Sequence, residues 1–250
     1  MTCPFPYTIH LNGNTPLLFL HPFPANDYTW RAQTELPYMV ITVDMTSANL
    51  ADMESIAEGI IDILVTEEIE KTTVCGCSFG GYLAYTLTKY FPHRVSSLIL
   101  SDTRSENDNA IQRENRNSAI LKLENEGISA VASAIENLLG ATTKVENSDL
   151  VVELNEMVKS LSPQGLIALQ KAMLGREDFS PFLPKIDIPI TYICGLEDTV
   201  TPPQMMKVMA TKSSNARFCE IKCAGHLPSI EQPEQFNRII TEHLENFAKE

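Results

Sequence analysis

The stretch Cys75-Gly76-Cys77-Ser78-Phe79-Gly80-Gly81 sets one serine and two cysteines among glycines, directly after the β-branched run Thr72-Thr73-Val74. Serine and cysteine can both attack a carbonyl carbon and carry an acyl group. The frame Gly76-x-Ser78-x-Gly80 decides between them. A nucleophile held at a sharp strand-to-helix turn projects above the sheet. The residues two before and two after it have to be small, because strand and helix backbones crowd there. Ser78 has glycine at both places, whereas Cys77 would have Cys75 and Phe79. The spacing therefore favours Ser78 as the nucleophile and leaves Cys75 and Cys77 as small apolar filling.

A serine hydroxyl needs a base. Of five histidines, His10 falls in an edge strand, His93 follows a helix end at Phe91-Pro92 and reads as a surface residue, and His243 reads as a solvated position on the terminal helix. His21 lies in a loop considered below. His226, in Ala224-Gly225-His226-Leu227, follows the last β-rich run, which puts it on the same rim as Ser78. It is the best base. The base in turn needs an acid to fix its tautomer. Asp198 ends Cys194-Gly195-Leu196-Glu197-Asp198, just past another strand, and Asp102 at the end of an earlier strand competes with it. Asp198 is favoured because it completes the chain order serine, aspartate, histidine. Either aspartate could instead be a turn residue.

Acyl transfer also needs N–H donors for an oxyanion. One is the amide after the nucleophile, Phe79. The other should come from His21-Pro22-Phe23-Pro24, where the prolines have no N–H and leave Phe23 as the donor between them.

Positioning these groups requires strands that end at one rim. β-Rich runs alternate with helical periodicity: strands are expected near 39–43, 71–77, 95–100, 188–194 and 217–223, and helices near 53–69, 81–91, 203–211 and 233–247. Residues 8–11 and 17–20, joined through Asn12-Gly13-Asn14, read as an edge hairpin. The alternation implies an α/β fold with a mostly parallel sheet covered by helices on both faces. Residues 104–184 break it. They hold no convincing strand, begin with the charged run 104–117, and carry helical stretches near 111–125, 128–139, 150–161 and 163–174. The expected organisation is a core of 1–103 and 185–250 with an all-helical cap, 104–184, inserted between two strands. Ligands of such sheets bind at the carboxyl ends of strands, so the cap would roof the site. Its apolar faces and Phe79 suggest a hydrophobic pocket.

The chain has 250 residues and a net charge of −13. That charge argues against a nucleic-acid partner and against an anionic membrane surface. No apolar run approaches the roughly 18 residues of a membrane helix, and residues 1–14 have no signal-peptide pattern. Six cysteines in such a chain read as free thiols in a reducing cytoplasm. Cys75-x-Cys77 and Cys219-x3-Cys223 lack zinc-ligand spacing, so no metal site is expected.

With Phe19-Leu20-His21-Pro22-Phe23-Pro24, Gly76-Cys77-Ser78-Phe79-Gly80-Gly81, Ser101-Asp102-Thr103-Arg104, Gly195-Leu196-Glu197-Asp198-Thr199-Val200-Thr201-Pro202 and Gly225-His226-Leu227-Pro228 in place, the chain resembles the α/β-hydrolase superfamily over essentially its whole length. It is most similar to the esterase, enol-lactonase and non-haem haloperoxidase-like branch with a helical cap. His21-Pro22 stands where that family usually carries histidine–glycine, and the short N-terminus implies a sheet without the first of the usual eight strands. The resemblance implies Ser78 as nucleophile, Asp198 as acid, His226 as base, Phe23 and Phe79 as oxyanion donors, no cofactor, and a small-molecule ester or lactone substrate. It leaves the oligomeric state open. It also admits other chemistry on the same triad (perhydrolysis, C–C bond hydrolysis, lyase or thioesterase action) or a ligand receptor that retains the triad.

Overall fold

The computed structural model describes residues 3–131 and 133–247. Strands β1 (Tyr7–Leu11), β2 (Pro16–Leu20), β3 (Met39–Val43), β4 (Thr72–Cys77), β5 (Val95–Ser101), β6 (Ile190–Gly195) and β7 (Ala216–Ile221) form one seven-stranded sheet in the order β1-β3-β2-β4-β5-β6-β7. Every pairing is parallel except β1 with β3.

The expected hairpin does not form. β2 is buried along Leu17–Leu20 and has parallel neighbours on both edges, β3 and β4. A strand apolar on both faces belongs inside a parallel sheet. β1, exposed at Thr8 and Leu11, is left to cap the free edge of β3.

Alternation along β2 divides the core between the two faces. Leu18 and Leu20 join one apolar cluster with helices α1 (Met53–Thr66) and α2 (Phe79–Tyr90). Leu17 and Phe19 join the other, where Phe19 lies 4.8 Å from the Trp30 ring. α1 starts where Asp52 accepts a hydrogen bond from the Ser55 N–H at 2.7 Å, an N-cap that occupies one of the orphan donors of the first turn.

Between β5 and β6 no strand occurs among the described residues. The helices there are α3 (Ala110–Glu126), α4 (Ala141–Glu146), α5 (Ser148–Lys159) and α6 (Pro163–Gly175). The single helix expected over 128–139 is instead two 3₁₀ turns, Gly127–Ala130 and Ile135–Leu138; residue 132 lies outside the described residues. The chain closes with α7 (Pro203–Lys212), the short α8 (Pro228–Glu231) and α9 (Pro233–Phe247). No described helix is long and apolar enough to cross a membrane.

His243, expected in solvent, is fully buried on α9. Its Nδ1 is 2.7 Å from Thr191 Oγ1 and its Nε2 2.9 Å from Ser97 Oγ. The helix turns this position towards polar side chains of β5 and β6, so the imidazole serves as an internal bridge. Burial lowers its pKa from the usual 6.5 to about 4.

Candidate active site

All the singled-out groups lie just beyond the carboxyl ends of parallel strands. The 21–24 loop follows β2, Ser78 follows β4, Asp102 and Arg104 follow β5, Asp198 follows β6 and His226 follows β7. Those five strands are consecutive neighbours in the sheet, which gathers residues remote in sequence on one rim.

Ser78 has φ 51° and ψ −110°. A non-glycine residue at positive φ is strained and persists only when its surroundings hold it. The surroundings do so. The Ser78 N–H donates to the Ser101 carbonyl at 3.0 Å, and its own carbonyl accepts from Gly81 N–H at 2.9 Å and Thr103 Oγ1 at 2.7 Å. The flanking glycines are required by contact. A Cβ on Gly76 would stand 2.3 Å from the Gly80 carbonyl oxygen, and one on Gly80 would stand 2.0 Å from the Leu20 carbonyl oxygen. Phe79 is the first residue of α2, so its N–H has no intrahelical acceptor.

His226 and Asp198 form a buried pair. His226 Nδ1 lies 2.8 Å from Asp198 Oδ2. Asp198 Oδ1 accepts from Val200 N–H at 2.7 Å and Thr201 N–H at 3.2 Å, and Oδ2 also accepts from Thr201 Oγ1 at 2.5 Å. Burial alone would raise the Asp198 pKa. The hydrogen bonds and charge of His226, with those from Thr201 and Val200, outweigh it and hold the carboxyl at about 2. The carboxylate is ionised, and His226 Nδ1 has to carry the proton between them.

Asp102 does not reach His226 by a hydrogen bond. Its Oδ1 accepts from Gly195 N–H at 2.9 Å and its Oδ2 from Ser101 Oγ. Burial, then the charge of Asp198, push its carboxyl well above the ordinary range. Ligand atoms of Asp102, Asp198 and His226 lie within 4.8 Å of one another, a spacing a metal ion could bridge. The Asp198 oxygens, however, are already filled by four hydrogen bonds. This donor set fits a hydrogen-bonded network and not an ion.

His21 is fully buried. Its Nε2 accepts from Met45 N–H at 3.0 Å and its Nδ1 lies 2.9 Å from the Pro22 carbonyl. Only the Nδ1–H tautomer satisfies both. The ring ties the loop that carries Phe23 to the chain beyond β3, and burial lowers its pKa.

Ser78, His226 and Phe23 line one cavity of about 300 Å³, at the small end of ligand pockets. The apolar lining expected from the sequence is there, but Phe23, Tyr82, Leu138, Met173 and Val200 supply it and not Phe79. Phe79 is wholly buried in the core beneath the site. Beside the apolar residues the lining carries the polar side chains Arg104, Gln112, Arg116 and Gln170. Only Ile120 and Leu123 of α3 are buried, both in its second half. From its first half Gln112, Asn115 and Arg116 line the cavity.

Two supports had no signature in the sequence. Thr201 Oγ1, 3.2 Å from His226 Nδ1 as well as bonded to Asp198, braces the pair. Glu231 on α8 is buried. It accepts from Gly225 N–H at 2.9 Å and Leu227 N–H at 3.1 Å on either side of His226, and from Gly140 N–H at 2.7 Å and Thr143 Oγ1 at 2.6 Å. The His226 N–H itself donates to the Leu138 carbonyl at 2.7 Å. The helical segment and the histidine loop are therefore fastened together. A glutamate five residues past a histidine is too ordinary a spacing to mark this role.

Comparison with known proteins agrees with this architecture. The chain is 28% identical to a malate-bound thermophilic esterase from Thermogutta terrifontis, with a TM-score of 0.93 over 97% of this chain and 93% of that one. It is 24% identical over 242 residues to 3-oxoadipate enol-lactonase 2 of Acinetobacter baylyi, covering 92% of this chain and 89% of that protein. It is 26% identical over 257 residues to the pimeloyl-[acyl-carrier protein] methyl ester esterase of Legionella pneumophila, covering 94% and 99%. The sequence model of the alpha/beta hydrolase family matches residues 17–239. With that match across most of its length, and the strand order and rim described above, the chain belongs to the alpha/beta hydrolase family.

Proposed function

We propose that the protein is a serine hydrolase that cleaves a small carboxylic ester or lactone through an acyl-enzyme on Ser78. One observation carries this reading: a buried, ionised Asp198 holds His226 at Nδ1, and His226 opens onto the cavity that Ser78 also lines. Similarity to esterases and an enol-lactonase supports the bond type.

In this reaction His226 Nε2 accepts the Ser78 proton as Oγ attacks the carbonyl carbon. The tetrahedral oxyanion takes hydrogen bonds from the N–H groups of Phe23 and Phe79. As the ester C–O bond breaks, the imidazolium returns the proton to the leaving alkoxide. Water, deprotonated by His226, then attacks the acyl carbon and releases the acid and Ser78. The chain's own residues and water complete the cycle. The segment 104–184 acts as the cap over the acyl pocket.

The test is hydrolysis of p-nitrophenyl acetate and butyrate by wild type and Ser78→Ala, with fluorophosphonate labelling of the serine. Loss of at least about 10³-fold in turnover is expected, since removing a triad member leaves only oxyanion and binding effects. Equal rates, or no label on Ser78, would overturn the mechanism.

A further inference from the structure

We propose that the substrate carries a second, ionised carboxylate besides the ester, and that Arg104 is its receptor in the cavity wall. The inference rests on the ester-hydrolase reading above.

Arg104 stands at the cavity, two residues past Asp102, on the strand end between Ser78 and Asp198. A guanidinium has five N–H donors. Among the described residues Arg104 has one hydrogen-bond acceptor, the Val200 carbonyl, 2.9 Å from Nη2. Its Nε is buried with no partner, and no described carboxylate forms an ion pair with it. A buried guanidinium donor left unmatched is costly, and a bidentate carboxylate is the ligand whose geometry fits it.

The other charged groups on the wall do not neutralise it. Asp108 is the one acidic side chain lining the cavity, and it is already shared by two arginines. Arg116 reaches it through Nε, and Arg176, behind the wall, through Nη2 at 2.8 Å. Arg116 spends a further donor on Gln170 Oε1 at 3.0 Å. This triad is net positive, and Arg104 adds to it. Of the remaining titratable groups on the wall, His226 is engaged by Asp198 and the Tyr82 ring lies under Arg176. The chain as a whole is −13, so a cavity lined by surplus arginine opposes the overall charge. It would draw an anion in and reject a neutral chain of the same length. Arg104 could instead serve only to staple the Val200 loop. In that case its loss would affect charged and neutral esters alike.

The experiment compares monomethyl glutarate with methyl valerate, equal in acyl length, by pH-stat hydrolysis. Wild type should prefer the anionic ester at least 10-fold in kcat/KM, chiefly through KM, with the preference shrinking in 0.5 M salt. Arg104→Met should cut that ratio at least 10-fold, and Arg104→Lys should retain part of it. A wild-type ratio near or below one, or a ratio unmoved by Arg104→Met, overturns the proposal. Calorimetry of glutarate binding in a Ser78→Ala background reads the receptor without turnover. Binding lost in Arg104→Met, alongside no hydrolysis of any ester by wild type, would refute the hydrolase reading and keep the anion site. No binding to either form would refute the anion site.

Discussion

Replacing Asp198 by asparagine tests the site at its most constrained point. The two oxygens of Asp198 are not equivalent. Oδ1 faces two backbone donors, Val200 N–H and Thr201 N–H, which cannot turn into acceptors. Oδ2 faces Thr201 Oγ1 and His226 Nδ1. An amide at 198 must therefore keep its oxygen towards the backbone and turn its NH₂ towards the histidine. Nδ1 then becomes an acceptor and the proton moves to Nε2, the atom that has to receive the Ser78 proton. The wrong tautomer is fixed without any change of shape. Acid-to-amide exchange in a serine triad costs about 10⁴ in kcat, or about 5 kcal/mol of transition-state stabilisation. The assay is p-nitrophenyl butyrate turnover at pH 7.5, with KM measured separately.

Asp102→Asn is the matched control. Burial and the neighbouring Asp198 charge drive Asp102 towards the neutral acid, for which an amide is a near-isostere. Its oxygen can keep the Gly195 N–H, and Ser101 Oγ can accept from its NH₂. A loss under 10-fold is expected. If Asp198→Asn lost less than 10-fold, or Asp102→Asn lost more than Asp198→Asn, the assignment of the acid would be wrong. The same pair sets a stability signature. The Asp198 pKa is lowered from 3.8 to about 2, so its contribution is present above pH 4 and is lost as pH falls through 2. Its size is about 2 kcal/mol, and a urea-denaturation pH series in Asp198→Asn should lack that part.

Cys77 should be inert to iodoacetamide in the native protein. Its Sγ is buried, 3.5 Å from the His226 carbonyl, and burial raises its pKa, so no thiolate is presented. Exposed Cys223 should be labelled instead, and inactivation that disappears in Cys77→Ala would refute this. Glu231→Gln should lower kcat about 10-fold with KM little changed, because the amide oxygen can keep Gly225 and Leu227 N–H and the Thr143 hydroxyl can turn to accept, but Gly140 N–H is left facing an NH₂ and the tie between the helical segment and the His226 loop loosens; unchanged kcat would mean the loop is held without that tie. His243, kept neutral down to about pH 4, should make the protein lose about 3 kcal/mol as pH falls from 6.5 to 4, since the unfolded chain binds a proton there that the folded one does not. His243→Gln should flatten that part of the profile, and an equally steep profile would place the effect elsewhere.

What could be read in advance was whatever a strand end delivers locally. Ser78, Asp198 and His226 each follow directly on a β-rich run, and a parallel sheet sends all such ends to one rim whatever the strand order. The strand order itself was not readable at the edge. Asn12-Gly13-Asn14 is good turn chemistry, but whether residues 8–11 fold back on 17–20 depends on who else claims the flanks of β2, and both flanks are taken by distant strands. His243 was misplaced for a related reason. Helical periodicity puts it near the buried face of α9, but the Thr191 and Ser97 hydroxyls that help make burial of an imidazole tolerable lie 52 and 146 residues away.

The cavity shows the limit most sharply. A run of alternating charge such as 104–117 has the same pattern whether it faces solvent or a wet pocket, because both are polar surroundings. What separates the two is pairing. A solvated guanidinium donor needs no protein partner, whereas a buried one such as the Nε of half-buried Arg104 does. Asp108 is consumed by Arg116 and Arg176, and Arg104 is left over. That surplus is a property of three-dimensional pairing among residues 104, 108, 116 and 176, which no spacing within the charged run 104–117 displays.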